Sequence, residues 1–232
     1  MALPKLETPT YELSLPSNGK KVKYRPFLVK EYKVLLTALE ADTAEIVRIV
    51  NELVDVCTYN KLKMSELSHF DVEYLFLQIR AKSVSEIANL VIDCECGEKI
   101  PYDLDITKIE VKKNSDKFDN KVQLADKVGV ELRYPRFDEM MDIYDSMQND
   151  KIIDMIAKCV TAVYTEQERI DAKDTPPAEM QEFLESLTKQ QFDKIEQFFV
   201  NMPKLVQEVE KTCPSCKTVN NIRLEGIQNF FV

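Results

Sequence analysis

The chain has 232 residues, 44% hydrophobic and 31% charged, with 31 Lys+Arg against 40 Asp+Glu for a formal net charge of −9. At roughly 150 residues per domain this is one or two domains with a core of their own. No window approaches the roughly 18 continuous apolar residues of a membrane span, and so acidic a chain is a poor match for nucleic acid, whose binding runs on phosphate neutralisation.

The first segment, MALPKLETPTYEL, lacks a charged flank followed by an apolar run, so no secretory signal is expected and the cysteines are read as thiols or metal ligands in a reducing cytosol. Tyr11, Leu13 and Leu15 alternate with polar residues, and Val22 and Tyr24 follow the Asn18-Gly19 pair, which predicts a hairpin. Helical spacing is predicted over residues 30–41, over 43–57 with a stripe from Ile46 to Cys57, and from Ser65, with Ser65 or Ser68 as cap. The lone histidine, His69, is expected to be a surface or capping residue of that third helix. From Ser85 the period becomes two, and the run around Ile87–Ile92 predicts a strand buried on both faces. Ile100 to Ile106 returns, with Ile109 and Val111 extending it. Residues 122–124 and 128–134 predict another hairpin.

Pro135 ends that hairpin, and a helical segment is predicted from there to about Val200. Ile152, Ile153, Ile156, Val160 and Val163 mark one of its helices. Pro177 is placed to open another, and Thr188 with Gln191 reads as a capping box. Strands return from Leu205 to Lys211 and from Val219 to Leu224. No internal repeat is visible.

Chemistry concentrates in the cysteines. Cys94-Glu95-Cys96-Gly97 and Cys213-Pro214-Ser215-Cys216 each occupy the turn of a predicted hairpin. Two tight turns that each present two thiolates are the zinc-ribbon arrangement, so a structural Zn²⁺ on Cys94, Cys96, Cys213 and Cys216 is predicted, with Lys99, Lys211 and Lys217 as counter-charges. The first turn holds one residue between its cysteines, below the usual two to four, and residues 97–212 separate the pairs, so the middle must be an insertion. Unmetallated thiols are the plain alternative. Four thiolates leave no open position for a reacting water, so a catalytic zinc is not expected. A redox dithiol at Cys213 and Cys216 would need a helix after it, whereas the following residues read as strand. Cys57 and Cys159 fall on apolar helix faces and read as core.

With one histidine and four scattered glycines, neither acid–base catalysis nor a phosphate-cradling loop finds its residues, and no enzyme is predicted. Two surfaces are candidates for partners. Lys20, Lys21, Lys23 and Arg25 form a basic patch, which is either a solvated strand edge or a docking surface for an acidic partner. Phe230, Phe231 and Val232 form an apolar tip that either folds back or inserts into a neighbour.

Three blocks carry a resemblance: ALPKLETPTYELSLPSNGKKVKYRPFLVKEYKVLL at 2–36, FDVEYLFLQIRAKSVSE at 70–86 and LRYPRFDEM at 132–140. Together they resemble the baseplate hub subunit family of T-even-like contractile-tailed bacteriophages, in particular members from phages of cyanobacteria. The resemblance implies a structural or assembly role at the hub of the tail baseplate, without catalytic residues. It places the protein in the virion, and in the host cytoplasm during assembly. The partners it implies are other hub subunits and the tape-measure protein.

The reading is therefore an α+β protein: an N-terminal β-hairpin, helical segments, and a zinc-ribbon-like pair of β-hairpins interrupted by a helical insertion. Residues 1–84 would hold the first hairpin and helices, 85–134 and 203–232 the β region with the cysteine turns, and 135–202 the insertion. Its function would be that of a structural or assembly protein acting through protein–protein contacts. The runner-up is a non-virion assembly chaperone that holds hub or tape-measure segments. A zinc-ribbon nucleic-acid factor is the third class, opposed by Glu95, Glu98, Asp103, Asp105, Glu208 and Glu210 around the turns.

Overall fold

A computed structural model describes residues 6–38, 42–112, 119–145 and 149–226. The chain divides into two compact units, Met1–Lys112 joined with Lys204–Val232, and Lys113–Pro203. The tip residues Phe230, Phe231 and Val232 lie outside the described residues.

Unit 1 opens with β1 (Tyr11–Ser14) and β2 (Lys21–Tyr24), paired antiparallel with Leu13 opposite Val22. Gly19, at φ +72°, closes the turn between them. Helices α1 (Val29–Ala38), α2 (Thr43–Cys57) and α3 (His69–Ser83) follow. Asp42 caps α2 by accepting the Glu45 N–H. Ser68 stands at the N-cap of α3, but its side chain makes no cap bond.

Helix α3 is the core of unit 1. Phe70, Leu75, Phe76, Leu77 and Ile79 are fully buried, and burial runs round the whole helix rather than along one stripe. His69 is accordingly buried, edge-on to Phe70 with ring centroids 5.2 Å apart, rather than on the surface. A helix wrapped on every side has no surface position to offer it.

Strands β3 (Ile87–Asp93) and β4 (Lys99–Asp105) form a two-stranded sheet. Ala88 and Ile92 are buried while Ile87, Asn89 and Val91 are exposed, so β3 is covered on one face, not two. An antiparallel hairpin can leave its outer face in water. After β4 a 3₁₀ turn (Ile106–Lys108) redirects the chain, so Ile109 and Val111 do not extend β4. Instead β5 (Val111–Lys112) pairs with β10 (Lys204–Thr212), which pairs in turn with β11 (Val219–Glu225). Leu205 faces Val111, and Lys204 faces Lys112.

Unit 2 is a mixed domain rather than a helical one. Strands β6 (Lys121–Ala125), β7 (Val128–Leu132), β8 (Val160–Tyr164) and β9 (Arg169–Asp171) form an antiparallel meander. With them stand α4 (Phe137–Asp145), α5 (Asn149–Cys159), α6 (Pro177–Glu185) and α7 (Lys189–Val200). Val130, Leu132, Ile156, Val160, Leu184 and Ile195 are among its core residues. The inserted unit thus begins at Lys113, and β6 and β7 belong to it, not to the cysteine-bearing part. Val160 and Val163 lie on a strand because the Val-Thr-Ala-Val-Tyr run, rich in β-branched residues, pairs with β7. Pro177 opens α6, and Thr188 and Gln191 form the reciprocal capping box of α7.

Both units turn from first hairpin to first helix through one device. In unit 1 the Arg25 N–H donates to the Cys57 carbonyl at 2.9 Å, its guanidinium donates to the Pro26 carbonyl and to Glu31 at 3.1 Å, and Glu31 accepts the Leu28 N–H. In unit 2 the Arg133 N–H donates to the Cys159 carbonyl at 2.8 Å, and its guanidinium donates to the Tyr134 carbonyl and, bidentately, to Glu139 at 2.7 and 2.8 Å. Glu139 then accepts the Arg136 N–H. Each glutamate follows its arginine by six positions, and each cysteine ends the second helix. A hairpin–helix–helix module therefore occurs twice, although the sequence shows no repeat.

Burial alone would raise the Glu139 pKa, but hydrogen bonds from Arg133 and from the Arg136 N–H outweigh it and hold the carboxyl below its ordinary value. That anion contributes stability above the unfolded glutamate pKa of about 4.3, and the contribution is lost as pH falls through the lower folded value. Glu139→Gln removes the anion and leaves Arg133 facing a neutral amide. We predict that it lowers the free energy of unfolding by about 1.5–3 kcal/mol at neutral pH, because the arginines left behind reach solvent. In denaturant titrations from pH 7 to 3, the variant should also lose less stability in acid than the parent.

Candidate metal centre

Two hairpin turns build the site. Between β3 and β4, Cys94 closes the turn by donating its N–H to the Glu98 carbonyl at 2.9 Å and accepting the Gly97 N–H at 2.8 Å. Gly97, at φ +86°, takes the left-handed conformation that glycine adopts without steric cost. Between β10 and β11, the Cys213 N–H donates to the Thr218 carbonyl at 2.8 Å, and the Lys217 N–H donates back to Cys213 at 3.1 Å. Lys217 is itself left-handed, at φ +63°. In each turn, then, the residue after the second cysteine has positive φ. The turns match even though one carries glycine and the other lysine.

The four sulfurs converge. Cys94 and Cys216 lie 3.6 Å apart, Cys96 and Cys213 3.7 Å apart, and all four fall within 4.8 Å of one another. These separations are too long for a disulfide, whose sulfurs sit about 2.05 Å apart. A tetrahedron of sulfurs at about 2.3 Å from a central zinc has edges of about 3.8 Å, close to both short separations. Cys94 and Cys213 are buried and Cys96 and Cys216 exposed, so the cluster sits half under the surface. Ile92, Ile100 and Val209 pack beneath it with Cys94 and Cys213.

Local hydrogen bonds favour the thiolate at Cys216 and oppose it at Cys96. The Thr218 hydroxyl lies 3.3 Å from the Cys216 sulfur, and the hydroxyl together with the Thr218 N–H pulls that thiol down to about 6. At Cys96 the Glu98 N–H acts in the same sense, but hydrogen bonds shared with Cys216, Cys94 and Cys213 prevail and push the thiol up to about 12. Of the two exposed thiols, Cys216 therefore gives up its proton before Cys96. The four-sulfur cluster is compatible with a metal ion, which would take the place of the thiol protons.

The remaining candidates separate clearly. Lys217 donates to the Pro214 carbonyl within its own turn at 2.9 Å, and Lys99 and Lys211 are exposed on the strands that lead to the turns. In the basic patch, Lys20 and Lys23 are exposed and Lys21 pairs with Glu12 at 3.1 Å. Arg25 points inward, clamped to Glu31, because its guanidinium fastens the hairpin to α1. Burial pushes the thiols of Cys57 and Cys159 up to about 11 and about 12, values that suit core residues. Thr218 and the left-handed backbone of Lys217, expected only as a counter-charge, were not legible in the sequence. Only the symmetry of the two turns could have pointed to them.

Among the described residues no helix is long and apolar enough to cross a membrane. Over residues 8–232 the chain matches the family described as T4 bacteriophage base plate protein. It is 24% identical over 222 residues to the baseplate hub assembly protein gp26 of Enterobacteria phage T4, a match that covers 95% of this chain and 97% of that one. No solved structure matches. Since the matched stretch runs through both units, cysteine turns included, the chain belongs to the family of T4 bacteriophage base plate proteins.

Proposed function

We propose that the chain is an assembly component of the tail baseplate hub, acting through protein–protein contacts, with one structural zinc on Cys94, Cys96, Cys213 and Cys216. The near-complete coverage of the hub assembly protein of phage T4 supports the first part. The convergence of four sulfurs within 4.8 Å supports the second and carries the chemistry of the reading. Zinc in that position ties the β3–β4 hairpin to the β10–β11 hairpin. Four thiolates leave no site for substrate, so its work is architectural. The partners are other hub subunits and the tape-measure protein, met in the host cytoplasm during assembly and retained in the virion.

A cleft of about 360 Å³ in unit 2, lined by Ala157, Val160, Ala172 and Met180 with Asp154 and Lys158 among its charged residues, favours the second reading, a chaperone that leaves before the particle is finished. Quantitative mass spectrometry of purified virions separates the two. A stoichiometric copy number supports the structural component, and absence from virions with retention in assembly intermediates supports the chaperone.

The zinc has its own test. Protein purified under reducing conditions should hold one zinc per chain by elemental analysis. The paired substitutions Cys213→Ser and Cys216→Ser should abolish it and lower the melting temperature. A parent protein without metal would refute the ribbon.

A further inference from the structure

We propose that the cysteine cluster is also a site of oxidation, where a peroxide converts its four thiolates into two disulfides, Cys94–Cys216 and Cys96–Cys213. These bridges tie the β3–β4 hairpin to the β10–β11 hairpin once the metal has left. The inference deepens the reading of the four residues as a zinc site, and rests on it for the state that precedes oxidation.

Two close sulfur contacts each join one hairpin to the other. Cys94 lies 3.6 Å from Cys216, and Cys96 lies 3.7 Å from Cys213. Each contact also joins an exposed cysteine to a buried one: Cys96 and Cys216 are exposed, whereas Cys94 and Cys213 are 5% and 0% exposed. Peroxide oxidises the thiol it can reach, and a second thiol beside the first turns the product into a disulfide. Each pair thus holds one sulfur placed to react and one placed to resolve. Closing either contact to the roughly 2.05 Å of a disulfide asks about 0.8 Å of each sulfur. Ile92, Ile100 and Val209 pack with Cys94 and Cys213, which keeps the resolving sulfurs in place.

Four cysteines allow three pairings, and the geometry opposes the other two. A bridge from Cys94 to Cys96 would close over Glu95 alone. It would do so in a turn whose backbone is held by the Cys94–Glu98 and Gly97–Cys94 hydrogen bonds. Disulfides forced from their preferred geometry store strain and are easily reduced. Pairing within the turns therefore leaves Cys94 and Cys96 without a stable bridge. The third pairing joins Cys94 to Cys213, both buried, so neither sulfur of that pair is open to peroxide.

The chemistry balances with hydrogen peroxide as oxidant. In each pair the exposed thiolate attacks one peroxide oxygen, the O–O bond breaks, and hydroxide leaves a sulfenic acid behind. The buried thiolate then attacks that sulfur, the S–S bond forms, and a second hydroxide leaves. Two protons convert both hydroxides to water, so one peroxide takes two electrons from each pair. Two peroxides consume all four thiolates, and the metal is left without ligands. A protein retained in the virion passes from the reducing cytosol to surroundings where thiols oxidise. A tie that changes from metal to disulfide survives that passage.

The test treats the full chain, as purified under reducing conditions, with hydrogen peroxide and maps its tryptic peptides by mass spectrometry without reduction. Cleavage after Lys99, Lys211 and Lys217 puts Cys94 and Cys96 in one peptide and Cys213 and Cys216 in another. We expect the two peptides joined, with the fully buried Cys57 and Cys159 still thiols. Separate peptides with internal bridges, or sulfinic acids in place of bridges, would overturn the proposal. Variants resolve which sulfurs pair. Cys96→Ser/Cys213→Ser keeps the Cys94–Cys216 contact, and should bridge at least about tenfold faster than Cys96→Ser/Cys216→Ser, which keeps only the buried sulfurs. Equal rates would contradict the assigned roles. The oxidised parent should also melt above the same protein reduced in the presence of a chelator, and equal melting temperatures would refute the tie. If the purified protein holds no metal but its two peptides join, the zinc reading fails and the disulfides stand. A zinc-bearing protein whose peptides stay separate has the reverse meaning.

Discussion

Unit 1 is made of two stretches of chain that are far apart in sequence, and its integrity depends on how they are held together. At one place β5 and β10 pair, with Lys112 and Lys204, the last and first residues of the two stretches, directly opposite each other. At another, four sulfurs meet across 117 and 122 positions of sequence. The long intervening unit makes closure only slightly costlier than a short loop would, because the entropy of closure grows with the logarithm of length. The small size of the parts matters more. The β3–β4 hairpin has two strands and β5 adds only two residues to the β10–β11 hairpin, and among the described residues the apolar cluster at the turns holds five buried residues, Cys94 and Cys213 among them. The proposed metal on four thiolates would staple this small cluster.

The arginine–glutamate clamps solve a different problem, the angle at which a strand hands over to a helix. Each clamp ties the guanidinium to a carboxylate and to backbone carbonyls, Pro26 in unit 1 and Tyr134 and Lys158 in unit 2, and the carboxylate in turn takes a backbone N–H at the start of the helix. A nearly buried ion pair with its hydrogen bonds complete costs little and fixes geometry. The device recurs with its setting: the two modules share clamp, cysteine and the burial pattern of the five residues that end the second helix, Leu53–Cys57 and Met155–Cys159.

Local chemistry was legible in the sequence wherever one or two residues decide the backbone. Asn18-Gly19, Pro177 and the Thr188–Gln191 box each set a turn or a helix start, and the cysteines announced their own turns. What depended on distant packing was not legible. Ile87 and Val91 look like core residues until the hairpin is seen to keep one face in water. The spacing of Val160 and Val163 suits a helix as well as a strand, and only pairing with β7 decides. His69 is buried because α3 is enclosed on all sides, a property of its neighbours. The repeated module stayed hidden because its signal is an arginine, a proline, a glutamate and a cysteine, with the proline shifted by one position between copies. Resemblance to a baseplate family, carried by blocks in both units, pointed to the role that composition alone left open.

The claim on which the account turns is that thiolates from two distant hairpins share one metal. X-ray absorption at the zinc edge of the purified protein tests it most directly. A single shell of four sulfurs at about 2.3 Å and no lighter ligand is expected. A shell containing nitrogen or oxygen, or fewer than four sulfurs, would contradict it.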